Sequence, residues 1–290
     1  MGNMKIKNLL THTMASLMVA SGLSVVTAGS AQASAYMLSE GQNMYTTGLT
    51  FSTATDWFNQ NRVRVPQGCT SKDTSWGHSY TYGYSYYYNF FANASIANQA
   101  CGVGAKTAGL GDLQVGIRGR LDLERNGRTW EIALNVPTGY DNQKINRLGY
   151  GKFGLWAGVA FSTQKSGWEE KMPTYWEAGT GISYWFGPPA TQSKSYLKWS
   201  WSLDEDGDNR IVLKGVLKLS LQDGRPEFPV AFAGFPRFSG DYDAGIISAK
   251  YSRRLNQNWT AAATIGETIW GRNISASRFG TLSVTYRWDD

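Results

Sequence analysis

Few residues in this 290-residue chain could carry covalent chemistry. Of its two histidines, His12 belongs to an N-terminal leader, which leaves His78 beside a segment, 55–79, that reads as an outer loop. A Ser–His hydrolase needs its imidazole within reach of a nucleophilic hydroxyl and oriented by an Asn or an acid. Serines are plentiful near His78, yet no Gly-x-Ser-x-Gly turn marks a nucleophile. No catalytic residue is assigned, and the chain is not expected to be an enzyme. One histidine and two cysteines do not supply the four ligands of a zinc site. Asp204-Glu205-Asp206-Gly207-Asp208 is acidic enough for a calcium loop but lacks the downstream bidentate Glu. Asp and Gly equally suit a tight strand connection, and that reading is preferred. Neither metal nor cofactor is expected.

The cationic side chains carry more information. Arg118, Arg120, Lys152, Lys194, Lys198, Lys214, Lys218, Lys250 and Arg287 fall on the polar side of alternating segments, and Asp112, Asp122, Glu131 and Glu177 are the acids placed there. Enclosed in a barrel, such charges either pair and plug the interior or line a water path that favours anions. The conducting reading is preferred. A formal net charge of +6 is too mild to argue for a nucleic-acid partner.

The elements that would position these groups repeat with period two. Residues 278–288 put Leu282, Val284, Tyr286 and Trp288 on one face and Thr281, Ser283, Thr285 and Arg287 on the other. In 209–221, leucines alternate with Lys214 and Lys218; in 193–203, Leu197, Trp199 and Trp201 alternate with Lys194 and Lys198. Residues 111–123 and the tyrosine-rich 80–90 behave likewise, with weaker matches at 44–54, 91–98, 129–136, 151–162, 174–186, 243–254 and 259–270. Twelve such segments predict an all-β, up-and-down antiparallel transmembrane barrel, since lipid tolerates no open sheet edge. The connections sort by length. Those at 55–79, 137–150 and 222–242 fall on one side, and short turns such as 124–128 and 255–258 on the other, as outer and periplasmic connections do. Glu267, on the apolar face of its segment, predicts a nearby bulge.

The compartment follows from the first 35 residues. Lys5 and Lys7 precede an apolar stretch from Met14 to Ala28, and Ala33-Ser34-Ala35 supplies a small-x-small cleavage pattern. Residues 1–35 are therefore read as a cleaved signal peptide and 36–290 as a single barrel domain that begins near Tyr36. In an oxidising compartment the two cysteines, Cys69 and Cys101, predict one disulfide tying neighbouring outer loops.

Gly109-Leu110-Gly111-Asp112-Leu113, Asn135-Val136-Pro137-Thr138-Gly139-Tyr140, Gly149-Tyr150-Gly151-Lys152 and Trp270-Gly271-Arg272-Asn273 follow one another along the chain. Their order, over about Tyr45 to Trp288, resembles the family of outer-membrane proteins named for the meta pathway of phenol degradation. The resemblance implies an outer-membrane barrel associated with solute uptake, not a phenol-degrading activity. The chain ends Trp288-Asp289-Asp290 rather than on the terminal aromatic of many such barrels, so the insertion signal is read at Tyr286 and Trp288. The expectation is a monomeric outer-membrane channel, inserted by the barrel-assembly machinery, that passes small organic solutes, anionic or aromatic. The alternative from another class is a barrel serving polysaccharide export, biofilm or adhesion through the aromatic and basic segments 55–79 and 222–242.

Overall fold

The computed structural model describes residues 34–101, 105–121, 127–139, 151–163, 174–187, 191–221 and 242–289. Residues 1–33, Asp122, the motif around Tyr150 and most of 222–242 lie outside that set. The described strands are β1 (Gln42–Phe58), β2 (Arg64–Gly83), β3 (Tyr88–Cys101), β4 (Ala105–Leu110), β5 (Leu113–Arg120), β6 (Arg128–Val136) and β7 (Gly154–Ser162). They continue with β8 (Thr174–Trp185), β9 (Gln192–Ser202), β10 (Asn209–Ser220), β11 (Asp243–Arg254), β12 (Trp259–Arg272), β13 (Ile274–Ser275) and β14 (Arg278–Asp289). All pairings are antiparallel, and β1 bonds both β2 and β14, so the sheet closes on itself. β4 prolongs the line of β5 beyond Gly111-Asp112, both pairing with β3, and β13 is a two-residue rung against the end of β1. Twelve staves therefore make the barrel. With staves ~4.8 Å apart and tilted by ~40°, the backbone cylinder is roughly 24 Å across.

Alternation explains the part of each stave that crosses the membrane. In β6 the burial is strictly periodic: Thr129, Glu131 and Ala133 are buried while Ile132 and Leu134 are exposed. A water-soluble sandwich would reverse that choice. Here the outward apolar side chains, among them Leu197, Leu213, Ile265 and Leu282, form a belt whose solvent is lipid. At the end carrying the short turns, Trp259, Tyr286 and Trp288 stack with centroids 4.5 Å and 5.1 Å apart, as an interfacial aromatic girdle requires. By turn length that end is periplasmic.

Two expectations are corrected. The segment 55–79 is no loop: β1 runs on to Phe58, and β2 begins at Arg64. The tyrosine-rich stretch 80–90 is not one strand either, because a turn at 84–87 divides it between β2 and β3. Above the lipid belt both faces of a strand meet water, so residues 64–75 carry no hydrophobic alternation even though β1 pairs with 64–66 and 71–75. Where β1 passes from Ala54 to Asp56, residues 67–70 bulge from β2, which accommodates Pro66. A bulge does lie near Glu267, at Ile269, which has no partner between Gly245↔Trp270 and Ile246↔Thr268. Glu267 itself stays on the outer face, accepting a hydrogen bond from Arg278 Nε at 3.2 Å.

Candidate functional site

The inner wall divides into a packed half and an open half. From β5 to β8, Gln114, Glu131, Trp156, Ala160 and Glu177 are all nearly inaccessible. Arg118 donates from Nε and Nη2 to Glu131 Oε2 at 3.0 and 2.7 Å, and Trp156 Nε1 donates to Oε1 at 3.0 Å. Glu177 accepts from Tyr196 Oη at 2.6 Å and from Lys198 Nζ at 2.7 Å. Bulky side chains fit here because glycines face them. Gly179 sits opposite Tyr196 in the ladder, and a Cβ there would lie 2.4 Å from the ring. Gly116 relates to Phe91 in the same way. Such pairs are how aromatics rescue glycine in a sheet.

The chain ahead of β1 completes the packing. Gly41 takes φ +76°, which lets the backbone turn from β1 into the interior. Met37 and Leu38 are fully buried, and Ala35 joins Phe91, Ala133, Trp156 and Ala160 in one apolar cluster. Arg118 Nη1 donates to the Tyr36 carbonyl at 3.2 Å, Thr129 Oγ1 donates to that of Ser34 at 2.7 Å, and the Arg287 guanidinium lies 5.4 Å from the Tyr36 ring centroid. Gly83 is required beside it, since a Cβ there would fall 1.9 Å from the Ser39 carbonyl oxygen. Residues 34–40 thus cross the periplasmic part of the lumen. Sequence reasoning missed this segment; its one signal was the apolar pair Met37-Leu38 just past the expected cleavage site. Cleavage after Ala35 would remove the Ser34 and Ala35 contacts and leave those of Tyr36 to Leu38.

The open half runs through β10, β11, β12, β14 and β1. Lys214, Lys250 and Arg287 stand on its inner face, each only partly covered. Lys198 pairs across the ladder with Lys214, and Lys194 with Lys218; the latter two are buried near the outer end. Arg118 belongs to the packed half. Arg120 lies at the periplasmic rim, with Nε donating to the Tyr86 carbonyl at 2.7 Å. Lys152 is displaced from the expected wall, because β7 begins only at Gly154 and the lysine is exposed ahead of it. Between the cationic positions the wall is small and hydroxylated: Thr46 bonds Thr285, and Thr50 bonds Thr281, each at 2.9 Å between hydroxyl oxygens.

Three other candidates resolve locally. His78 is not at a loop but within β2, between the exposed Trp76 and Tyr80 on the outward face, its Nδ1 2.6 Å from the Tyr45 hydroxyl. The acidic run 204–208 turns β9 into β10: Asp204 accepts from the side chain and backbone N–H of Asn209, and those bonds hold its carboxyl below the usual range. Gly207 supplies φ +72°, and Asp208 pairs with Arg254 at 3.4 Å. Cys69 lies in the β2 bulge and Cys101 ends β3 opposite Ser71, so the two sit on adjacent strands and not in separate loops.

Closed sheet, apolar outer belt and polar interior together define a twelve-stranded transmembrane β-barrel of the bacterial outer-membrane type. An outer-membrane channel from Pseudomonas putida F1 has the same fold: 90% of this chain superposes on 100% of that one with a TM-score of 0.71 and 10% identity. The translocator domain of the autotransporter NalP from Neisseria meningitidis matches over 98% of this chain and 95% of its own, at a TM-score of 0.48 and 12% identity. The Pseudomonas putida toluene transporter TodX matches over 86% and 90%, at 0.45 and 7%. No family model and no curated protein sequence matches the chain.

Proposed function

We propose that the protein is a passive, monomeric outer-membrane channel for small organic anions, working without cofactor or energy coupling. One observation carries this reading: the half of the inner wall that stays accessible presents Lys214, Lys250 and Arg287 above small hydroxyl side chains, while the two fully buried inward carboxylates among the described residues, Glu131 and Glu177, are taken up by ion pairs in the packed half. Fixed cations along a narrow wet path lower the barrier for anions. In planar bilayers under a KCl gradient, the reversal potential is expected to report anion preference, and Lys214→Gln with Lys250→Gln is expected to reduce it. Cation preference in the unmodified protein would overturn the proposal. The export or adhesion reading invoked loops at 55–79 and 222–242, of which 55–79 is largely strand. A hydrolase is disfavoured by His78 facing the lipid belt.

The same reading includes a Cys69–Cys101 disulfide that pins the bulged top of β2 to β3, supported by the ladder that brings the two strands together at Ser71. Intact-mass analysis of the non-reduced protein after alkylation is expected to find no free thiol; two alkylated cysteines would dismiss the bridge.

A further inference from the structure

One cross-strand row on the open wall combines a single cation with a line of hydroxyls. Reading around the barrel, Lys250 pairs with Thr264, Thr264 with Thr281, Thr281 with Thr50 and Thr50 with Ser75. Neighbouring strands are about 4.8 Å apart, so an ammonium and a line of hydroxyls are set out at nearly even intervals across five staves. The next inward row towards the periplasm is Ala262, Ser283, Gly48 and Gly77. It holds no side chain larger than Ser; an added Cβ at Gly48 would lie 3.0 Å from Ser283 Cβ, whereas one at Gly77 would meet nothing closer than 3.9 Å, so the room in this row is on the Gly77 side. Space is therefore left beneath the hydroxyl line, and Lys250, Thr264, Thr281 and Thr50 are all partly accessible. No aromatic ring lies in either row. A face of this kind offers hydrogen bonds at several successive points and one positive charge, and it offers a hydrocarbon little apolar surface.

Resting on the channel reading above, we infer that the row Lys250–Thr264–Thr281–Thr50 selects polyhydroxylated carboxylates, the class of sugar acids, over apolar carboxylates of the same charge and ring size. The carboxylate meets Lys250 while ring hydroxyls exchange hydrogen bonds with the threonines. Each threonine hydroxyl serves as donor or acceptor, so the row matches either orientation of a sugar hydroxyl.

The test uses the full-length protein in liposomes, with swelling rates for sodium glucuronate, sodium cyclohexanecarboxylate and neutral glucose. Glucuronate is expected to enter faster than cyclohexanecarboxylate by at least the factor that one net hydrogen bond supplies, on the order of fivefold. Thr50→Val with Thr281→Val removes both partners of one hydroxyl pair without orphaning either. That variant is expected to bring the ratio towards one, and Lys250→Gln to slow both anions relative to glucose. Equal rates for the two carboxylates, or faster cyclohexanecarboxylate, would overturn the selectivity while leaving a channel. Absence of both ionic conductance and swelling would overturn the channel reading itself.

Discussion

Deleting Tyr36–Glu40 is expected to raise single-channel conductance severalfold and to widen the range of solutes that pass. These residues occupy the periplasmic part of a cylinder whose open half is lined by small side chains between its cations, so removing them adds water-filled cross-section directly in series with the path. The segment is bound by specific contacts. Met37 and Leu38 would each lose roughly 1.5–3 kcal/mol of burial on returning to water. Arg118 would lose its bond to the Tyr36 carbonyl. A second route to the same outcome leaves the segment intact. Gly83→Val places side-chain atoms where the Ser39 carbonyl now lies, so the segment must shift or leave. Conductance traces of the two variants and the unmodified protein in planar bilayers decide the matter. Unchanged conductance in both would mean that the segment does not restrict the path.

Glu131→Ala is expected to be the most destabilising single substitution in the wall, costing about 3–5 kcal/mol, because it leaves a buried guanidinium without its counter-charge. Arg118 is 11% and Glu131 1% exposed at the side chain, so water cannot replace the lost partner. The change also strips the Trp156 indole N–H of its acceptor and releases the residue that orients Arg118 towards the N-terminal segment. Glu131→Gln, which keeps an acceptor of the same shape, is expected to lose less, about 1–3 kcal/mol. Urea titration of the protein folded in lipid vesicles measures both, and a loss for Glu131→Ala no larger than that for the glutamine variant would refute the account.

Much of the fold was legible along the chain. Residues 278–288, 209–221 and 193–203 are strands within a residue or two of the bounds that their alternation indicates, with Leu282, Leu213, Leu217, Leu197 and Trp199 exposed on their outer faces. Where both faces of a strand are wet, as in residues 64–75 of β2, the pattern was silent. Cys69 and His78 were misplaced with it, and only backbone pairing to β1 located them. Lys152 was misread for a related reason: alternation can run past the end of a strand, but the inner wall does not.

By itself the sequence determined that the membrane-spanning parts of the staves alternate a lipid face with a polar face and that the staves are even in number. Those properties are local, set by the two-residue period of a strand between lipid and water. Only the tertiary structure decided how the interior is shared out. Whether an inward residue meets a partner or open space depends on which strand lies beside or across from it, and on glycines such as Gly116 and Gly179 that let aromatics lie flat in one half. It also depends on the turn at Gly41, which sends Tyr36–Leu38 back into the lumen. Inward direction is a property of sequence spacing, whereas occupancy of the lumen is set by closure of the barrel.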